Sequence, residues 1–140
     1  MTHLGIGVML NRLLGDDGGA IFRTAIGKTI TTLSLDPGED STEDKLRMTF
    51  DDGSKIAIYD NGQSCCEHRY MSTDDDLTVH IDAILVSGEL RDGPDKDGED
   101  DTLECQFLLI TTSRGVFTMA NYNSHNGYYG GFALRVISEE

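Results

Sequence analysis

Lys45-Leu-Arg-Met-Thr-Phe50, Asp51-Asp-Gly53 and Ser54-Lys-Ile-Ala-Ile-Tyr59 follow one another without interruption, and their reading decides the fold. Each outer run alternates polar with apolar residues, the period of a strand with one buried face, and the Asp-Asp-Gly between them suits a tight turn. Leu46, Met48 and Phe50 are therefore expected to share one face. Downstream, Leu103-Glu-Cys-Gln-Phe-Leu-Leu-Ile110 and Val116-Phe-Thr-Met-Ala120 flank Ser113-Arg-Gly115, a second hairpin of the same design. Residues 29–35, 81–89 and 133–137 read as further strands, rich in β-branched and apolar residues. The pattern predicts a mainly β chain with a minor α component. It would be an antiparallel sheet or small sandwich of about six to seven strands, built from two hairpins, with one or two short helices.

At 140 residues the chain has the length of one domain, with a β core over residues 29–137 and a weakly patterned segment over 1–28. Within that segment, residues 20–26 form a short apolar run that suits a helical turn or a strand and ends at Gly27. Ser72-Thr-Asp-Asp-Asp-Leu77 suits the amino end of a short helix or turn reaching about His80. The formal net charge of −14 repels duplex nucleic acid and anionic membrane surfaces at long range. No apolar run approaches the roughly 18 residues that span a bilayer. Residues 1–14 lack a secretory pattern, so a cytoplasmic location is expected, with the three cysteines as thiols.

Two segments are chemically dense. Asn121-Tyr-Asn-Ser-His-Asn-Gly-Tyr-Tyr-Gly-Gly-Phe132 reads as a binding loop, and Gln63-Ser-Cys-Cys-Glu-His-Arg-Tyr70 as its partner. The alternative is a hairpin loop in which Asn and Gly only set turn geometry and the tyrosines only pack. Cys65, Cys66, His68, His80, Cys105 and His125 are zinc-ligand types without the paired spacings of a closed site. Residues 90–101 read as a glycine-rich acidic loop, of which 92–101 resemble only fragments of a calcium loop. A thiol nucleophile at Cys65 or Cys66, with His68 or His125 as base, competes with small buried filler residues. No phosphate-cradling or nucleophile-elbow motif is present, so no catalytic residue, metal or cofactor is expected. What remains is a niche of Arg69, Tyr70, Asn123, His125, Asn126, Tyr128 and Tyr129, with Arg114 or Arg135 as further cations. Stacking rings, a guanidinium fork and amides suit a nucleotide.

The Cys65-Cys66 pair after the first hairpin and the Asn126-Gly-Tyr-Tyr-Gly-Gly131 run after the second resemble a small domain family of unknown function, common in phage and prophage genomes. The resemblance extends from about Gly27 to Val136. Within that group the chain is similar to the phage anti-defence sponges that block Thoeris immunity. The resemblance implies a β-rich protein that binds and sequesters a nucleotide second messenger, a cyclic ADP-ribose isomer or cyclic oligonucleotide, without cleaving it. Asn123, Asn126, Tyr128 and Tyr129 would then lie in or under the pocket, and a homo-oligomer, dimer or higher, in the host cytoplasm is implied. The alternative function is a structural or protein-binding oligomeric module with no small-molecule ligand.

Overall fold

The computed structural model describes residues 8–9, 18–38, 43–60, 62, 67–93, 96–97, 102–125 and 131–139. In chain order these form β1 (Val8–Met9), α1 (Gly18–Ala25), β2 (Ile30–Asp36), β3 (Lys45–Phe50), β4 (Lys55–Asp60), β5 (Glu67–Ser72), a 3-10 turn (Leu77–His80), β6 (Leu85–Asp92), β7 (Lys96–Asp97), β8 (Thr102–Thr112), β9 (Gly115–His125) and β10 (Leu134–Glu139). One antiparallel sheet has the order β1-β6-β8-β9-β5 with β7 on β8, and the other has the order β10-β4-β3-β2. The mainly β, antiparallel fold expected from the alternation is present. Among the described residues, eight strands reach six residues or more, against the six to seven expected. The additional one is β5.

Both hairpins form where the alternation places them. Met48 pairs with Ile56 across β3–β4, and Leu108 with Met119 across β8–β9. Their turns close on Gly53 and Gly115 at φ +87° and +125°, backbone that a Cβ would strain. Leu46, Met48 and Phe50 are at most 1% exposed and share the inner face, as predicted. They meet Leu85, Leu108, Ile110, Phe117 and Met119 of the larger sheet in one apolar cluster, which α1 joins through Phe22 and Ala25. Ordinary main-chain bonds tie the sheets together on one side. Ile30 N donates to Ala83 O (2.8 Å), Asp82 N to Ile30 O (2.7 Å), and Leu85 N to Lys28 O (3.0 Å).

The short apolar run at 20–26 is helical over most of its length and stops at Gly27, whose φ of +93° suits a helix end. The acids before Leu77 also act as expected: Asp76 Oδ1 accepts from Thr78 N (3.0 Å) and caps the 3-10 turn. Three expectations need correction. Residues 81–84 are not strand, because Ile81 and Asp82 turn the chain, Asp82 at φ +72°, so β6 starts at Leu85 and runs on to Asp92. Residues 90–101 are not all loop, since Lys96 and Asp97 pair with β8. The binding loop does not begin at Asn121, because residues 121–125 continue β9 and pair on both sides. Asn121, Asn123 and His125 point inward in strand alternation, so polarity there marks a polar interior instead of a loop. No helix among the described residues is long and apolar enough to cross a membrane.

His80 is 5% exposed, with Nδ1 2.7 Å from Thr112 Oγ1 and its ring against Phe117. Burial holds its pKa below the ordinary imidazole value; Arg114 adds to the shift, and Asp75 and Asp76 oppose it. The unfolded chain therefore takes up this proton first as pH falls. Its contribution is present above the ordinary value near 6.5 and is lost toward the lower folded value. Urea unfolding of His80→Asn is expected to show a shallower loss of midpoint between pH 7 and pH 5 than the parent; an unchanged slope would refute this. Leu108→Ala, at a 0% exposed position between the sheets, is expected to cost about 2–5 kcal/mol in the same assay. A loss below about 1 kcal/mol would contradict the described packing.

Candidate functional site

β5 is an edge strand whose residues alternate between two unlike environments. Glu67, Arg69 and Met71 face the second sheet, while His68, Tyr70 and Ser72 face outward. The inner face of β9 changes character along its length, from Phe117 and Met119 to Asn121, Asn123 and His125. The two strands run antiparallel with Arg69 opposite Asn123 and Glu67 opposite His125. Their polar ends therefore coincide.

Arg69 lies at the centre of this polar interior. Its Nη1 donates to Asp60 Oδ1 and Oδ2 (2.9 and 3.1 Å), and its Nη2 to Glu67 Oε2 (2.9 Å). The side chains of Arg69, Asp60 and Glu67 are 8%, 10% and 1% exposed, so the charges are paired away from water. Asp60 ends β4 and Arg69 belongs to β5, so the pair joins the two sheets. Asn123 Nδ2 donates to Glu67 Oε2 (2.8 Å) and to Gly131 O (3.0 Å). Glu104 Oε1 accepts from Gly131 N (2.8 Å) and lies 2.7 Å from His125 Nε2. Ala133 N donates to Asp60 Oδ1 (3.2 Å). The network thus grips both polar groups of Gly131, at the point where the chain returns from residues 126–130. Glu43, Asp44, Asp60, Arg69 and Asn121 border a cavity of about 10 Å³, the size of one water.

The opposite face of the same ladder is aromatic. Tyr70 stacks on Tyr122 with centroids 5.0 Å apart and planes 26° apart, and His68 lies 5.0 Å from Tyr70. Burial is the largest influence on the Tyr122 hydroxyl, raising its pKa, with Cys105, Tyr70 and Asp74 adding to the rise. Tyr122 also borders an open groove of about 240 Å³ shared with Phe107, Ala120, Thr118, Asp74 and Asp75.

Of the residues expected to form one niche, Arg69, Asn123 and His125 come together, in the buried network. Tyr70 also borders the small cavity beside Arg69, but its ring stacks on Tyr122 on the outward face, because neighbouring strand residues point to opposite faces. The guanidinium expected to fork onto phosphate instead forks onto Asp60. The further cations do not converge either. Arg114 follows the far end of β8 and donates to Val79 O and Ile81 O (3.2 and 2.6 Å), and Arg135 is on β10 opposite Tyr59. Asn126, Tyr128, Tyr129, Cys65 and Cys66 lie outside the described residues. Sequence reasoning missed Asp60, Glu67, Glu104 and Tyr122. The available signal was the alternation Glu67, Arg69, Met71, which reads as a strand once charge is allowed to point inward. Among the described residues no group of His, Cys, Asp or Glu is placed to hold a metal.

A model described as a domain of unknown function, DUF7448, matches residues 23–134, close to the span of the expected resemblance. No curated protein and no solved structure matches the chain. Removing one partner of a buried ion pair leaves an uncompensated charge, so Glu67→Ala is expected to cost about 3–5 kcal/mol in urea unfolding. Lys28→Ala, which breaks the more exposed Lys28–Asp52 pair, is expected to cost clearly less; equal losses would show that burial of the Arg69 network does not matter.

Proposed function

The chain belongs to the DUF7448 domain family, and we propose that in it the β5–β9 ladder serves the non-enzymatic capture of a nucleotide second messenger, a cyclic ADP-ribose isomer or a cyclic oligonucleotide. The observation that carries this reading is the outward row His68, Tyr70 and Tyr122, held in ring-to-ring register by strand pairing. A preformed aromatic row offers a base a stacking partner at about 1–3 kcal/mol per ring, with little ordering entropy left to lose. The row leads along the ladder toward Ser124, opposite His68, and Asn126, Tyr128 and Tyr129 follow next in sequence as the expected remaining contacts. The buried network holds the returning chain at Gly131 and so fixes one end of that segment. The resemblance of the Cys65-Cys66 and Asn126–Gly131 motifs to the anti-defence sponges supplies the ligand class and a phage setting.

Arg69 has a positioning role in this scheme, since its guanidinium is committed to Asp60 and Glu67. Recognition then rests on the base and ribose, through stacking and amide hydrogen bonds, and binding depends only weakly on salt. Sequestration works by mass action: a tight site present in excess lowers the free messenger, and no turnover is needed. Calorimetry with cyclic ADP-ribose isomers and cyclic di- and trinucleotides is expected to show binding at micromolar protein. Tyr70→Ala is expected to weaken it by about 5-fold to 150-fold, the equivalent of one stacked base. Absence of heat with every one of these compounds would end the proposal.

A further inference from the structure

The groove beside Tyr122 has a chemistry unlike that of a nucleotide site. Ala120 and Thr118 of β9 make its floor, Phe107 of β8 and Tyr122 of β9 supply aromatic walls, and Asp74 and Asp75 stand on the remaining side. The floor is low because Ala120 is the residue directly opposite Phe107 in the ladder. The acidic side is built into the fold. Past the end of β5, Thr73 Oγ1 donates to Thr118 O (2.7 Å) and Asp75 Oδ2 accepts from Thr118 N (2.7 Å), so two side chains continue the ladder where strand pairing stops. Asp74 is thereby held at the rim, near enough to Tyr122 to raise its pKa, and it has no ion-pair partner among the described residues. Among the described residues, no lysine or arginine lines the groove. Arg91, on the far side of Phe107, is paired with Glu89 at 3.2 Å.

We propose that this groove receives an arginine side chain from a partner protein, with the guanidinium against Asp74 and its plane on the rings of Tyr122 and Phe107. Aromatic faces and carboxylates both attract a cation, and arginine satisfies them together through its flat, forked head. At about 240 Å³ the groove falls below the ~300 Å³ at which small-molecule pockets begin, so it suits one side chain better than a whole nucleotide. Its surroundings extend the contact. On the same face, Val116 and Val86 remain 53% and 46% exposed, and the row of Tyr70 and His68 continues on the other side. The net charge of −14 steers a basic partner toward the protein at long range. This inference goes beyond the nucleotide reading, with which it shares only the Tyr122 wall.

Hexa-arginine and hexa-lysine peptides at physiological salt, titrated into the full chain, provide the test. The arginine peptide is expected to bind more tightly and to shift the amide resonances of Thr118, Ala120 and Tyr122. Asp74→Asn combined with Phe107→Ala is expected to weaken it about ten-fold, and Asp74→Asn alone by a smaller factor that guards against misfolding of the double variant. Asp51→Asn, an equal loss of charge in the exposed β3–β4 turn, is expected to change little. Equal weakening by Asp51→Asn and Asp74→Asn, resonance shifts confined to other surfaces, or no binding would overturn the proposal. Tyr70→Ala tests the nucleotide reading separately, since Tyr70 does not line the groove.

Discussion

A guanidinium withdrawn from water has to be neutralised and hydrogen-bonded where it comes to rest, and Arg69 meets that requirement by reaching across the interior to Asp60. The apolar cluster holds the sheets face to face, but burial of oil-like surface is non-directional and does not fix where one sheet sits along the other. Direction comes from polar contacts at both margins. Backbone bonds among Lys28, Ile30, Asp82, Ala83 and Leu85 set one side, and the Arg69–Asp60–Glu67 triad sets the other. The triad also recruits Asn123, and Asn123 holds Gly131. A residue central to the packing of two sheets is therefore three hydrogen bonds away from the segment richest in tyrosine and glycine.

The parts of the fold legible in the sequence were those where burial and hydrophobicity coincide. Leu46, Met48 and Phe50 alternate with polar residues, and the hairpin followed from that; Leu108, Ile110, Phe117 and Met119 revealed the second. β5 and the last five residues of β9 stayed hidden because most of their inward residues, Glu67, Arg69, Asn121, Asn123 and His125, are ones that a hydrophobic period does not register. The same cause misled the reading of the site. A run of amides and a histidine looks like an exposed binding loop when each is assumed to seek solvent, yet Asn121 and Asn123 are at most 1% exposed. Arg69 and Tyr70 are adjacent in sequence and chemically suited to one ligand, and strand geometry assigns them to opposite faces.

The acidity of the chain has a spatial meaning that the total conceals. Several of the described cations are spent on internal or lateral pairs: Arg47 on Asp36 and Glu139, Arg69 on Asp60 and Glu67, Arg91 on Glu89. Asp74 and Asp75 are left beside aromatic rings on the open face of the larger sheet. A surface of that composition discriminates by charge before contact is made. It slows anions on approach and accelerates cations.

The split environment of β5 also governs its alignment. In an edge strand with one apolar face, a one-residue slip exchanges a greasy face for a wet one. Here it would carry Arg69 and Glu67 into solvent and drive His68 and Tyr70 into a chamber shaped for charge, leaving Asp60 without its counterion. The strand is phase-locked by electrostatics in the manner of a keyed connector. Positions 67 and 69 therefore act as a pair, because a change in either unkeys the strand before it alters anything at the surface.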